Sequence, residues 1–262
     1  MGDAAREMTD WYINLYRNVP AAGPGVCRIC HSGPNDSYAI CDGCRDTKRN
    51  VRRPVRNVVP ISLCIKEDDQ LYDIVSRSGN QSPRRGGPDR TTFLAATISR
   101  FYAAHARCLK RVAGGDFTLV TSVPSTRSGE PLPAFHPMPK VIQMIAALKD
   151  LYKPVLWPDI GAAVVGPRVS NEHAFKVTGC VDGKVVLLVD DIFVSGAHVQ
   201  SAASALHRAG AASVTVLVVA RLINPEYNEA NTIIWNRTRT EPFTFERCCL
   251  CGTSSRRSSE SD

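Results

Sequence analysis

Two adjacent carboxylates, Asp190 and Asp191, directly follow an apolar run of strand length at residues 185–189. An unbroken apolar run without alternation is typical of a strand that is buried on both faces. A short turn comes after the acids, and small and apolar residues then recur at helical spacing. The sequence therefore predicts a strand, an acidic pair, a small-residue loop over 192–197 and a helix over 198–209, in that order.

A sugar phosphate is a ligand that suits such a segment. A small-residue loop before a helix directs backbone N–H groups at one point, where a phosphate can bind. Ligands of open parallel sheets bind beyond the carboxyl ends of the strands, which is where Asp190 and Asp191 are expected. The acids could accept hydrogen bonds from sugar hydroxyls or help to hold a Mg²⁺ ion that accompanies the ligand. Acidic pairs also end strands in receiver domains, and Asp can simply cap a helix.

Residues 186–198, Val-Leu-Leu-Val-Asp-Asp-Ile-Phe-Val-Ser-Gly-Ala-His, resemble the motif with which type I phosphoribosyltransferases bind phosphoribosyl pyrophosphate (PRPP). The resemblance implies that Asp190 and Asp191 are the catalytic carboxylates. It also implies that the 5′-phosphate binds to the residues that follow, which are Val194, Ser195, Gly196, Ala197 and His198. The chain departs from the motif at Val194 and His198, where the family usually has hydroxyls. Val194 can offer only its backbone, whereas His198 could still bind a phosphate oxygen.

A second turn rich in hydroxyls follows the strand predicted at 117–123, and it contains Ser125, Thr126 and Arg127. In type I phosphoribosyltransferases a loop at this position holds the pyrophosphate of PRPP, and a guanidinium has the geometry to bind oxyanions. Loops that contain Ser, Thr and Arg are common, so this loop is informative mainly because it precedes the acidic strand in the sequence. Residues 166–183 correspond in order to the loop that closes over the substrate. They lack the Arg-x-x-x-Gln pattern that the ComF family, whose resemblance to the chain is described below, often carries there, so no catalytic acid or base is assigned in this loop.

Four cysteines form two closely spaced pairs near the N-terminus, at Cys27, Cys30, Cys41 and Cys44. Thiolates two residues apart can bind one metal from a tight turn, and two such turns complete a tetrahedral Zn²⁺ site. The segment is too short to bury a core of its own, so a metal would provide its folding energy. Four free thiols or a redox-active pair are the alternative, but no βαβ pattern surrounds them. The spacing therefore predicts a structural zinc knuckle.

Other potential ligands are scattered along the chain. His105 and Cys108 stand at i, i+3 on a predicted helix, where they could form a metal pair but fit equally the apolar face of that helix. A second cluster of cysteines lies near the C-terminus, at Cys248, Cys249 and Cys251. Its outer two members have knuckle spacing without a second pair nearby in sequence. They could complete a site with Cys64, exchange roles with the N-terminal pairs, or remain unliganded thiols.

The composition is that of a folded protein without membrane or secretory segments. The 262 residues are 44% hydrophobic, which is ordinary for globular proteins and allows one large α/β domain plus a small module. No stretch approaches the roughly 18 apolar residues of a membrane span, and no secretory signal is recognisable, so we expect a cytoplasmic protein. Ten cysteines in such a chain favour metal or free thiols over disulfides. The net charge of +7 permits contact with nucleic acid or an anionic substrate and specifies neither.

The sequence divides into four parts: an N-terminal segment at 1–25, the knuckle and a basic linker at 26–56, an α/β domain at 57–247, and a cysteine cluster with a polar tail at 248–262. Strands are predicted at 58–65, 117–123, 161–165, 185–189 and 213–220, with an edge strand at 232–235. Helices are predicted at 67–76, 92–112, 139–151 and 198–209. Because strands alternate with helices, the pattern predicts a mostly parallel sheet of about five strands flanked by helices.

The order of these features resembles the ComF/GntX-like family, which are zinc-knuckle proteins with a type I phosphoribosyltransferase domain. The resemblance covers roughly residues 26–222. It implies an α/β fold of that type, a small N-terminal zinc knuckle with structural Zn²⁺, and PRPP bound together with Mg²⁺. Some members of the family are linked to DNA uptake in competent bacteria, and many have no known substrate.

Two functions of different classes follow from these features. The first is a Mg²⁺-dependent phosphoribosyltransferase whose acceptor is not identified. The second is a non-catalytic PRPP- or nucleotide-sensing protein that acts on DNA through the knuckle and the basic run at 45–56. A scaffold whose cysteine modules bind partner proteins is a third possibility, and it would need neither PRPP nor DNA.

Overall fold

The structure is a computed structural model, and it describes residues 2–67, 69–76, 89–125, 137–159 and 165–251. The strand predicted at 161–165 lies outside these residues except for its last position, as does the polar tail after residue 251. No helix in the described ranges combines the length and the apolar character that crossing a membrane requires.

The described elements are, in chain order, α1 (Gly2–Trp11), a 3₁₀ turn (Ile13–Leu15), α2 (Asp42–Arg49), β1 (Asn57–Cys64), α3 (Gln70–Ser76), α4 (Arg90–Ala113), β2 (Leu119–Ser122), α5 (Met138–Gln143), α6 (Ala146–Lys149), β3 (Leu156–Pro158), β4 (Phe175–Val177), β5 (Val185–Phe193), α7 (Ala197–Arg208), β6 (Ser213–Leu222) and α8 (Glu229–Thr240). The predicted α/β class, with a parallel sheet flanked by helices, is confirmed.

The main sheet has four strands in the described residues, in the order β1-β6-β5-β2, and every pair is parallel. Strands β5 and β6 occupy the centre, as their nearly continuous apolar sequences require of strands covered on both faces. Strands β3 and β4 form a separate antiparallel pair, of which only β4 lies in the region expected to be the substrate loop. The carboxyl ends of the four parallel strands therefore meet at one edge, where β5 delivers its acids.

Two hydrophobic clusters cover the two faces of the sheet. Leu187 and Val189 of β5 point into a cluster with α4 and α5, whereas Val186 and Leu188 point into a cluster with α7, as the alternation of side chains along a strand requires. The knuckle cysteines belong to the α7 cluster. The knuckle therefore packs on this face of the sheet as part of the layer that covers it, and it is not a separate module on a linker.

Three sequence predictions of local structure are wrong. The edge strand predicted at 232–235 lies within α8, because Asn228 caps that helix by accepting a hydrogen bond from the Asn231 amide. The helix predicted at 139–151 is divided into α5 and α6. The strand predicted to end at residue 189 continues as β5 to Phe193 and pairs with β6 along that extension, so both acids lie inside the strand.

The knuckle is seated on the N-terminal turn of α8 through Gly33. The Gly33 amide donates to Asn231 Oδ1 at 2.7 Å, and Asn228 Nδ2 donates to the Gly33 carbonyl at 3.3 Å. A Cβ atom at position 33 would lie 2.4 Å from the Asn231 nitrogen and 2.6 Å from the Ala230 carbonyl carbon. Because both obstacles are backbone atoms, the close approach requires glycine.

We expect Gly33→Ala to lower the free energy of unfolding by about 1–3 kcal/mol, the usual range for overpacking, because the added methyl group must push the knuckle away from α8. Chemical denaturation followed by circular dichroism measures the change. The control is Gly23→Ala, where a Cβ meets nothing within 4 Å and we expect less than about 0.5 kcal/mol. Equal effects at the two positions would contradict the close packing of the knuckle on α8.

Candidate functional site

The four N-terminal cysteines converge on one point. All four sulfur atoms lie within 4.8 Å of one another, the Cys30 and Cys41 sulfurs are 3.5 Å apart, and all four side chains are buried. Zinc–sulfur bonds of about 2.3 Å in a tetrahedron separate the sulfurs by about 3.8 Å, so these donors fit a structural Zn²⁺. His31 is outside the group, because its Nδ1 atom lies 2.9 Å from the Pro20 carbonyl.

Local backbone hydrogen bonds help to present these sulfurs. The Cys27 amide donates to the Ser32 carbonyl at 2.7 Å, and the His31 amide returns a bond to the Cys27 carbonyl at 3.1 Å. The Ile29 amide points at the Cys27 sulfur at 3.5 Å. The second pair lies at the start of α2, where the positive end of the helix dipole favours thiolates.

A buried guanidinium, that of Arg221 at the end of β6, lies between the knuckle and the strand that carries the acids. Its Nη1 atom donates to the Phe193 carbonyl at 3.1 Å and to the Val194 carbonyl at 2.6 Å. Burial of the Cys30 thiol would raise its pKa, but hydrogen bonds from the other three thiols, together with the charge of Arg221, lower that pKa well below its usual range. Arg221 therefore compensates the negative charge of the cysteine cluster and binds the backbone after β5 at the same time.

The acids lie at the carboxyl end of β5 and have different partners. The Asp190 carboxylate is buried and accepts from the Asp191 amide at 3.0 Å, whereas Asp191 Oδ2 accepts from Arg90 Nη2 at 2.6 Å. Burial first, and then the charge of Asp191, raise the pKa of Asp190 well above its ordinary range. A group that supplied positive charge or hydroxyl donors would favour ionised Asp190, which is what Mg²⁺ or a ribose could do.

The turn after β5 is shorter than the sequence suggested, because it consists of residues 194–196 and leads directly into α7 at Ala197. Gly196 has φ +87°, and a Cβ atom there would lie 2.3 Å from the Phe193 ring, so only glycine fits. Ser195 Oγ accepts from the Ala197 amide at 3.3 Å and from the Arg168 amide at 3.3 Å.

The predicted phosphate-binding residues are therefore brought together at one edge of the sheet. Val194 and His198 are exposed, Ser195 is half-buried, and Gly196 and Ala197 are buried. Ser125 belongs to the same edge, because β2 pairs with β5 up to Ser122 and Val189. Thr126 and Arg127 lie outside the described residues, so their predicted contact with pyrophosphate stays a prediction.

Sequence reasoning missed two basic residues at this site. Arg90 begins α4 and reaches Asp191 across 101 residues of sequence, so no local pattern could reveal the pair. Arg221 directly follows the strand predicted at 213–220. A basic residue at the carboxyl end of a buried parallel strand is the sequence feature that could have revealed Arg221, because a charge in that environment needs a partner.

The sequence did not predict that four further potential metal ligands form one group. The structure brings together His105, Cys108, Cys248 and Cys251, whose ligand atoms all lie within 4.8 Å of one another. The sequence suggested these residues as two separate pairs and considered Cys64 as a partner of the later pair. Cys64 is instead a buried thiol at the end of β1 and belongs to neither group. Both groups are compatible with structural zinc.

Comparison with protein-family models gives no match for the chain. Comparison with the curated proteins gives no match either. Function is therefore inferred from the residues and contacts of the chain itself.

We expect Cys44→Ser to lower the zinc content of the purified chain by one ion, because three thiolates and a hydroxyl bind Zn²⁺ more weakly than four thiolates. Elemental analysis against protein concentration measures this change. The matched control is Cys180→Ser, whose thiol is exposed and outside both groups, and it should leave the zinc content unchanged. An unchanged zinc content in Cys44→Ser would contradict the knuckle assignment.

We expect Arg221→Gln to weaken zinc binding at the knuckle by roughly 10–100-fold, the range found when a residue that supports metal ligands is replaced. The physical reason is that the thiolates lose their buried counter-charge. Competition with a chromophoric chelator measures the affinity. Arg28→Gln is the control, because Arg28 is an exposed arginine between two of the ligand cysteines. Equal affinities for the two variants would show that Arg221 does not support the metal site.

Proposed function

We propose that the chain is a Mg²⁺-dependent phosphoribosyltransferase that binds PRPP at the carboxyl end of β5. One observation carries the proposal: two carboxylates lie near the carboxyl end of a central parallel strand, and that strand is followed by a three-residue turn that opens directly into a helix. In open parallel sheets this edge is the usual place for ligands. The resemblance of residues 186–198 to the PRPP motif supports the same site.

The 5′-phosphate would bind at the turn of residues 194–196 and the first turn of α7. The first amides of a helix have no partners within it, and the positive end of its dipole favours an anion. Gly196 lets the turn pass close to the Phe193 ring, and the Ser195 hydroxyl lies beside the Ala197 amide. The exposed His198 side chain, one residue into α7, could add a donor to a phosphate oxygen.

The ribose hydroxyls would then face Asp190 and Asp191. The reaction breaks the bond between the anomeric carbon and a pyrophosphate oxygen, and a nucleophilic atom of the acceptor forms the new bond to that carbon. Positive charge develops on the sugar in the transition state, so two nearby carboxylates stabilise it electrostatically. Mg²⁺ would balance the charge of the leaving pyrophosphate, which is assigned to Ser125, Thr126 and Arg127.

The pair between Arg90 and Asp191 bears directly on this proposal. The two side chains are mostly shielded from solvent and their closest atoms are 2.6 Å apart. A ribose hydroxyl that binds Asp191 must either share it with Arg90 or displace the guanidinium. Displacement would place the Arg90 charge near the ligand, where it could bind an oxygen of the phosphate or pyrophosphate.

A second candidate function is a DNA-associated protein that senses PRPP or a nucleotide without turnover. It is favoured by four exposed arginines of the basic run, at Arg49, Arg52, Arg53 and Arg56. Two of these form ion pairs, Arg49 with Asp46 at 3.8 Å and Arg52 with Glu172 at 3.4 Å, which reduces the charge available to a phosphate backbone. DNA binding that weakens with salt and survives loss of both acids of β5 would separate this function from the first.

We expect calorimetry to detect binding of PRPP with Mg²⁺ to the zinc-loaded chain and to detect none with Asp190→Asn/Asp191→Asn. The double variant keeps the shape of both side chains and removes the charge that would hold Mg²⁺ and orient the ribose. The control is Asp116→Asn, which removes one exposed carboxylate far from the acids of β5.

Circular dichroism and zinc content must match among the three chains, so that a loss of binding reports the site and not the fold. No binding to the native zinc-loaded chain would overturn the proposed function. Binding that persists in the double variant would place PRPP elsewhere on the chain.

A further inference from the structure

We propose that His105, Cys108, Cys248 and Cys251 bind a second structural Zn²⁺. Two of these residues come from one face of α4, and two come from a turn after α8 near the end of the described chain. Three thiols and one imidazole are a donor set that Zn²⁺ takes in closed, four-coordinate structural sites. The group is largely enclosed, because His105 and Cys248 are buried and the other two residues are half-buried.

The backbone places both pairs as a tetrahedral site requires. His105 and Cys108 are three residues apart on a helix, so their side chains point the same way. The turn at Cys248 is closed by a hydrogen bond from the Cys251 amide to the Cys248 carbonyl at 3.3 Å. The Cys248 and Cys251 sulfurs are 3.3 Å apart, and His105 Nδ1 lies 3.9 Å from the Cys251 sulfur, against about 3.8 Å and 3.5 Å in a tetrahedral zinc site.

The His105 ring is held in the state that a metal ligand needs. Its Nε2 atom lies 2.8 Å from the Phe245 carbonyl oxygen. A carbonyl can only accept a hydrogen bond, so Nε2 carries the proton and the lone pair of Nδ1 faces the thiols. Metal-binding histidines usually donate their second N–H to a carbonyl or carboxylate in this way. The bond spans 140 residues of sequence, so the tertiary fold rather than local structure orients the ring.

Cys249, in the same segment, is an example of a cysteine that only packs in the core. Cys249 is buried in the hydrophobic cluster of the α4 face, and its thiol is outside the ligand group. Cys248, which precedes it, and Cys251, two residues after it, instead have their sulfurs close to His105 and Cys108. A segment that needed only apolar contacts with α4 would not require three sulfurs and an imidazole to meet at one point.

The second zinc would fasten the end of the chain to α4. The segment after α8 has no regular secondary structure in the described residues and is held by aromatic contacts, in which Phe243 and Phe245 contact Tyr16 at 5.0 and 5.4 Å between ring centroids. A metal that joins this segment to α4 would contribute folding energy where few backbone hydrogen bonds exist. The cluster lies on the α4 face of the sheet, opposite the knuckle.

The test is the number and kind of metal ions bound by the full chain. We expect two zinc ions per chain in the wild type, one in Cys248→Ser/Cys251→Ser, and one in Cys44→Ser. Replacement of zinc by Co²⁺ should leave a three-sulfur spectrum in Cys44→Ser and a four-sulfur spectrum in the Cys248/Cys251 double variant. The matched control is Cys249→Ala, which should keep both ions because its thiol is not a ligand.

Several results would contradict the second zinc site. One ion in the wild type, or an unchanged ion count in the double variant, would overturn the proposal. So would a mass decrease of about 2 Da that maps to a Cys248–Cys251 disulfide in the wild type purified without oxidant. If the double variant does not fold, Co²⁺ titration of the wild type decides: charge-transfer absorption that saturates at two equivalents supports the site, and saturation at one overturns it.

Discussion

The candidate site depends on the interactions that the buried guanidinium of Arg221 makes with the cysteine cluster and with the backbone after β5. Zn²⁺ held by the four thiolates of the knuckle would carry a net negative charge, and this charge would be buried against one face of the sheet. Arg221 supplies the compensating charge from the carboxyl end of β6 and gives its donors to the carbonyls of Phe193 and Val194. Removing either the Arg221 charge or the thiolate charge leaves the other charge buried and unpaired, which is strongly unfavourable.

The knuckle also shapes the site by contact. The N-terminal turn of α2 lies against the turn after β5, since a Cβ at Gly43 would be 3.5 Å from the Ser195 carbonyl oxygen. On its other side the knuckle is seated on α8 through Gly33. The turn proposed to receive a phosphate is thus supported by the knuckle. Such rigidity allows backbone amides to be oriented before a ligand arrives.

The sequence predicted what depends on local pattern. The apolar runs of β1, β5 and β6, the knuckle spacing and the order of acids, turn and helix are all readable over a dozen residues. The predictions that were wrong are those where tertiary contacts or capping decide. The run Thr232-Ile233-Ile234 has strand propensity, yet the Asn228 cap and the burial of Ile234 make it helical. The ligands on α4 meet the C-terminal turn only after folding, so the sequence shows the two pairs but not that they combine into one group.

Hydrogen exchange at the turn after β5 tests the coupling between zinc and the candidate site most directly. The Gln200 amide donates to the Gly196 carbonyl at 2.8 Å, and the Ala197 amide donates to Ser195 Oγ, so both should exchange slowly while the knuckle holds its metal. In Cys44→Ser we expect faster exchange over residues 193–200 and unchanged exchange in α5, which packs on the opposite face of the sheet from the knuckle. Unchanged exchange over 193–200 in a chain that has lost the knuckle zinc would contradict the account.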